Sequence, residues 1–245
     1  MNEHKATSPD DSDKTMITTR HTVKAYDADL KALSDITLDM LKRACAMLAI
    51  SIDALNTKNA EKAKSVIPKD DAVDKLESSG DSLAIRIIAT RQPMGDDLRM
   101  VISAIKVNND IERIADYASN IAKRTGKLIH NNATDDPCID QCTKNIIAMA
   151  KDVEDVGTKV TQLISNPSKE KATDVHKNDA NINAHYANNV TEISKCMQKN
   201  AQHVQACTHF IFIAKELERI GDHFKNIAES IYYRVEGVEL SKKIS

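Results

Sequence analysis

The sequence predicts an all-α protein made of two tandem three-helix bundles related by internal duplication. Three observations carry this. Apolar residues recur at steps of three and four in six separate stretches. Gly and Pro, at 6 and 5 copies in 245 residues, are too few for the turns of a sandwich or barrel. An eleven-residue motif occurs twice, as ERIADYASNIA at 112–122 and as ERIGDHFKNIA at 218–228, with seven identities at an offset of 106.

The six seams run in order. Leu30, Leu33, Thr37, Met40, Ala44 and Met47 define the first, and Val73, Leu76, Gly80, Leu83 and Ile87 the second. The third holds Ala104, Val107, Ile111, Ile114, Ala118 and Ile121. The fourth extends from Ile139 to Leu163, the fifth from Ile182 to Met197, and the sixth from Phe210 to Ile227. Each 3,4 repeat lays an apolar stripe along one helix face that must be buried against other helices. Asn56–Asn59 breaks helices one and two, with a short helical piece expected over Ala60–Val66 before Pro68. Gln92–Gly95 breaks two and three, with Asp96 or Asp97 expected as N-cap. The polar run His130–Pro137 reads as the linker, and Asn166–Pro167 ends the fourth helix. The seam residues around the repeated motif superimpose at the same offset of 106: Val107 on Ile213, Ile111 on Leu217, Ile114 on Ile220. The expected units are residues 1–22 as a disordered polar tail, 23–130 as the first bundle and 137–236 as the second.

Composition narrows the function classes. Net charge is -2, from Lys+Arg 34 against Asp+Glu 36, and aromatics are 3% with no Trp. Neither a basic phosphate-binding surface nor a base-stacking platform is expected, so no nucleic-acid partner. No apolar run approaches membrane-spanning length, which argues against membrane insertion, and the N-terminus lacks a hydrophobic signal core. Five cysteines, with no C-x-x-C, argue against a disulfide framework and for a reducing, cytoplasmic setting.

The repeated motif carries the chemistry. Glu112 and Asp116 stand one turn apart on one face, with Asn120 continuing the row; Glu218, Asp222 and Asn226 repeat it. Both rows border an apolar seam, where like charges repel and are costly to desolvate. The second helix of each unit adds oxygen donors. Asp70 and Asp74 lie one turn apart, followed by Glu77 and Asp81; aligned through Val73 and Ile182, the second half has Asp179 and Asn183, with Tyr186 in place of Glu77. Facing helices would gather these into a cluster of hard donors suited to Mg, Mn, Ca, Fe or Zn. The bland alternative is a pair of solvated acidic faces. His203 with Cys207, and Cys138 with Cys142, are also one turn apart, but read as a surface histidine and core cysteines. His223 follows Asp222, with Tyr117 as its counterpart. Nucleotide-binding glycine loops are absent, and so is the Glu-x-x-His pair of di-iron carboxylate bundles.

The twin motif, together with RQPMGDDLRMVISAIKVNNDIERIADY at 91–117, YDADLKAL at 26–33 and IYYRVEG at 231–237, resembles the PhoU family of phosphate-uptake regulators over residues 20–238. The resemblance implies two tandem three-helix bundles in a cytoplasmic, often dimeric, non-catalytic protein. It implies restraint of the phosphate-starvation response between the Pst transporter, with its ATPase, and the PhoR sensor histidine kinase. It also implies multinuclear metal clusters held by Glu112 with Asp116 and Glu218 with Asp222, faced by Asp70, Asp74 and Asp179. The chain departs from the family pattern at Asn183 and Tyr186, which leave the second site short of acids, and at Ala115, which replaces the glycine seen at 221. The competing class is a carboxylate-bridged metalloenzyme acting on phosphoesters, which would need a general base and an open coordination position beside the metals.

Overall fold

The computed structural model describes residues 10–130 and 136–240, with side chains described from Lys24 onward except that of Asp179. No strand occurs among the described residues. The helices are α1 (Asp10–Asn56), α2 (Ala60–Val66), α3 (Asp70–Arg91), α4 (Gly95–His130), α5 (Pro137–Ser165), α6 (Lys169–Lys199) and α7 (Val204–Glu236). Short 3-10 turns at Ile67–Lys69 and Ala201–His203 lead into α3 and α7. The first bundle is α1, α3 and α4, with α2 laid against α1 and α4; the second is α5, α6 and α7.

The breaks form as the residue chemistry dictates. Asn59 caps α2 by accepting from the Lys62 amide, and Pro68 follows in the 3-10 turn. Gln92, in the left-handed region at φ 48°, closes α3. Asp136 accepts from the Cys138 amide at the start of α5, with Pro137 in the first turn, where its missing N–H has no cost. Two expectations change. α4 begins at Gly95, with Asp96 and Asp97 inside the first turn instead of at the cap. Gly95 has φ 56°, which suits glycine there, and the two acids still favour the positive helix end. α1 reaches back to Asp10, so the helix enters the stretch expected to be a polar tail; residues 1–9 lie outside the described residues, as does 131–135 of the linker.

The two bundles share one core. A continuous buried cluster runs from Met40 and Leu41 through Ile111, Ile114 and Ala118 to Ile146, Phe210, Ile220 and Phe224. It is continuous because α1 packs on α5 and α4 packs along α7. A smaller cluster of Leu33, Ala84, Ile87 and Val101 closes one end of the first bundle. Helices approach closely where a side chain is missing. A Cβ on Gly157 would lie 3.0 Å from the Phe224 ring and 3.2 Å from Cys45 Sγ, so glycine sets the α5–α7 spacing.

Candidate metal site on the third helices

α4 and α7 present the repeated motif toward different neighbours. On α4, Ile111, Ile114, Ala115 and Ala118 are wholly buried, which turns Glu112 to the seam edge and leaves Asp116 half-exposed. α3 brings its acids to the same edge. Burial raises the Glu112 carboxyl above the usual range; Arg113 beside it opposes the shift, while Asp116, Glu77 and Asp74 add to it. Asp70 is raised by burial and then by Asp116 and Asp74, against Lys123. Glu77 is raised by burial and by Asp81, against a hydrogen bond from Asn109. The shifts couple Asp70 to Asp116 and Asp74, and Glu112 to Asp116, Glu77 and Asp74, across α3 and α4, but among the described residues no three of these carboxylates come within 4.8 Å of one another. Arg113 lies 3.4 Å from Glu112 Oε2 and 3.8 Å from Asp116 Oδ2, a half-exposed cation serving two acids. Glu112 Oε2 and Asp81 Oδ1 are buried with no hydrogen-bond partner among the described residues. Buried oxygens crowded by like charge favour a cation, and Arg113 supplies one against the same Glu112 oxygen.

The second half differs in one decisive way. Lys215 donates to Glu218 Oε2 at 2.5 Å, and its ammonium stands 5.3 Å from the centre of the Tyr186 ring. At the repeat offset, Lys215 occupies the place of Asn109. Glu218 keeps only 14% of its side chain exposed, so that ion pair is sheltered. Asp222 follows one turn later, half-buried, while the side chain of Asp179 lies outside the described residues. Sequence reading noted the loss of acids at Asn183 and Tyr186 but missed the lysine. The signal was present: aligning the halves at 106 puts Lys opposite Asn.

Between the halves, the motif meets its own copy. Tyr117 and His223, at equivalent positions, stack with ring centroids 5.6 Å apart, and the Arg219 guanidinium lies over Tyr117. His223 Nδ1 is 2.8 Å from Asp110 Oδ1, so this imidazole bridges α7 to α4. Arg124 pairs with the buried Glu216 at 3.7 Å and covers the Phe212 ring.

The departure at Ala115 also has an explanation. A Cβ on Gly221 would lie 2.9 Å from Ile182 Cδ1. The equivalent pair in the first half is Ala115 and Val73, both wholly buried. One carbon gained on the third helix is matched by one removed from the second, so the helices keep their spacing.

The structure gathers one further group that sequence reading dispersed. Cys138 and Cys196 are disulfide-paired, with Cα atoms 5.9 Å apart, against the expectation of no disulfide. The two are 58 residues apart, and only the antiparallel packing of α5 on α6 brings them together. Cys142, Cys207 and His203 surround them. Among the described residues, sets of three or more potential ligand atoms within 4.8 Å of one another occur here: Cys138, Cys196 and His203, and Cys142, Cys196 and Cys207.

The PhoU domain model matches the chain twice, over residues 37–125 and 146–231, and so covers both repeats of the ERI-x-D motif. The chain belongs to the PhoU family. Similar PhoU relatives include two named phosphate-specific transport system accessory protein PhoU homolog. That of Zymomonas mobilis is 34% identical over 91% of this chain and 92% of its own length. That of Caulobacter vibrioides is 36% identical over 92% and 96%. The crystal structure of PhoU from Pseudomonas aeruginosa superimposes with a TM-score of 0.82 at 26% identity, covering 87% of this chain and all of that one. PhoU from Streptococcus pneumoniae gives 0.79 at 25% identity. As in the sequence reading, no described helix is long and apolar enough to cross a membrane.

Proposed function

We propose that this chain is a non-catalytic, metal-binding regulator of phosphate uptake that restrains the phosphate-starvation response. Its partners are the ATPase of the phosphate transporter and a sensor histidine kinase, and it acts in the cytoplasm as a homodimer. The name shared by its relatives, phosphate-specific transport system accessory protein, supports the transporter link. One observation supports the metal reading: Asp70, Glu77 and Glu112 at the α3–α4 edge are all raised by burial and by neighbouring carboxylates, and Glu112 Oε2 has no hydrogen-bond partner among the described residues, only the Arg113 guanidinium 3.4 Å away. Asp70, Asp74, Glu112 and Asp116 would hold the ion in the first half; Glu218, Asp222 and Asp179 would form the weaker second site. Bound there, an Fe, Mn, Mg or Zn ion supplies charge that turns repulsion into attraction and ties α3 to α4.

Against a phosphoesterase stands the repeated row itself, which carries a histidine in one half alone. His223, the one histidine in the repeated motif, is held by Asp110 on the neighbouring helix. The test is genetic and biochemical together. A deletion strain should express phosphate-starvation genes in high phosphate, the intact chain should restore repression, and the chain carrying Glu112→Ala and Asp116→Ala should not. Unchanged repression in the deletion strain overturns the regulator reading. Metal-dependent turnover of a generic phosphoester, abolished by Asp116→Ala, would replace it with the enzyme.

A further inference from the structure

We propose that the far end of the second bundle is a thiolate–imidazole site for a soft divalent cation of the zinc type, held by Cys138, Cys196 and His203. Three chain segments converge there: the first turn of α5, the last turns of α6 and the 3-10 turn that opens α7. Cys138 comes from α5, Cys196 from α6, and His203 closes the set from the turn. Three ligands of this type, with a fourth position left to solvent, are a Cys2His set, a known zinc combination.

The geometry fits. With metal–sulfur and metal–nitrogen bonds of about 2.3 and 2.05 Å, a tetrahedral ion holds a sulfur and a nitrogen ~3.6 Å apart. Cys196 Sγ and His203 Nδ1 are 3.6 Å apart. The sulfurs of Cys138 and Cys196 and the His203 ring share one 4.8 Å neighbourhood, whereas Cys142 belongs with Cys196 and Cys207. His203 Nε2 turns away to Asp136 Oδ2 at 3.3 Å, which orients the ring and presents Nδ1 to the sulfurs. A carboxylate behind a histidine is the usual outer support of a metal-bound imidazole. Asp136 is itself fixed, because it caps α5 through the Cys138 amide. A cleft of about 550 Å³ reaches the sulfurs from solvent, with Lys195 and Lys199 on its wall to balance thiolate charge.

Metal and disulfide compete for the same atoms. A thiol or phosphine reductant donates two electrons to the Cys138–Cys196 bond, and two protons make two thiols. A divalent cation then displaces the protons of its coordinating thiols as metal–sulfur bonds form.

Cobalt(II) tests this on the full chain, because tetrahedral thiolate coordination gives an intense near-ultraviolet sulfur-to-cobalt band that oxygen ligation at the acidic row does not. The phosphine-reduced chain should take one cobalt per chain with that band, and zinc should displace it. The oxidised chain should show none. Cys196→Ser should lose the band, and His203→Ala, on an exposed turn, should weaken binding at least tenfold. Asp136→Asn, which keeps the cap, should weaken it roughly 10–100-fold. Cys45→Ser and the Glu112→Ala, Asp116→Ala pair should leave the band intact. Absence of the band in reduced, folded protein overturns the proposal, as does a band that survives His203→Ala at full affinity.

Discussion

The third helices of the two halves carry the same ERI-x-D motif, yet their surroundings have diverged. In the first half, Glu112 and Asp116 lie near Asp70, Asp74 and Glu77, with Arg113 between Glu112 and Asp116 and Lys123 acting on Asp70. In the second half, Lys215 stands where Asn109 stands, Tyr186 where Glu77 stands, and Glu218 is already ion-paired. A repeated motif therefore does not by itself make a repeated site. The partner helix and one residue a turn upstream decide whether the acids remain a charge excess seeking a cation or have been given an internal one.

The largest expected effect separates the halves directly. Saturating divalent metal at about 100 times its Kd stabilises a one-site protein by about 2.7 kcal/mol, or roughly 5–10 °C in Tm for a chain of this size. Glu112→Ala with Asp116→Ala should remove most of that rise in calorimetry; Glu218→Ala with Asp222→Ala should remove much less. Equal losses from both pairs would erase the asymmetry. Exchanging the decisive residue comes next. Asn109→Lys should weaken metal binding to the first row by about tenfold or more, equivalent to 1.4 kcal/mol. Lys215→Asn should create a second titratable equivalent by isothermal calorimetry.

A packing swap gives a smaller effect. Gly221→Ala should cost about 1 kcal/mol, since overpacking against Ile182 outweighs the helix propensity gained. Adding Ile182→Val, which reproduces the Ala115–Val73 pair, should recover most of it in urea unfolding. The smallest effect is the pH response. Asp70, Glu77 and Glu112 are raised in the folded state, so the native protein binds more protons than the unfolded chain between their ordinary and raised values. Their contribution to stability must fall as pH rises through that window. It runs opposite to that of Asp136, a carboxylate lowered chiefly by the Cys138 amide. The metal-free chain with Glu112→Ala and Asp116→Ala should show a shallower loss over the same pH range.

Much of the fold could be read directly from residue spacing. Seams such as Ile111, Ile114, Ala118 and Ile121 are buried in full, because a 3,4 period leaves a helix no other way to hide them. The short α2 before Pro68 followed from local chemistry. What escaped is what distance in sequence conceals. Cys138 and Cys196 meet only after α5 and α6 pack, and nothing in either helix marks the other. The shared core escaped for a similar reason: a seam shows that a face is buried, not against which helix. The acidic pairs of the first half were legible as spacing, because Asp70 with Asp74 and Glu112 with Asp116 each stand one turn apart within one helix. Lys215 was overlooked because it stands just outside the repeated motif.

The packing of α4 along α7 also has a consequence for synthesis. The face of α4 that will meet α7 is complete once residue 130 has left the ribosome, but its cover is encoded about 106 residues later. At about 5–20 residues per second, that face waits roughly 5–20 s with its apolar side chains uncovered. A nascent chain in that state resembles half of a dimer, and its nearest match in shape is the same segment on the next ribosome of the polysome. Slowing translation between the two repeats should therefore lower the yield of correctly folded product, and chaperone demand should concentrate in that interval.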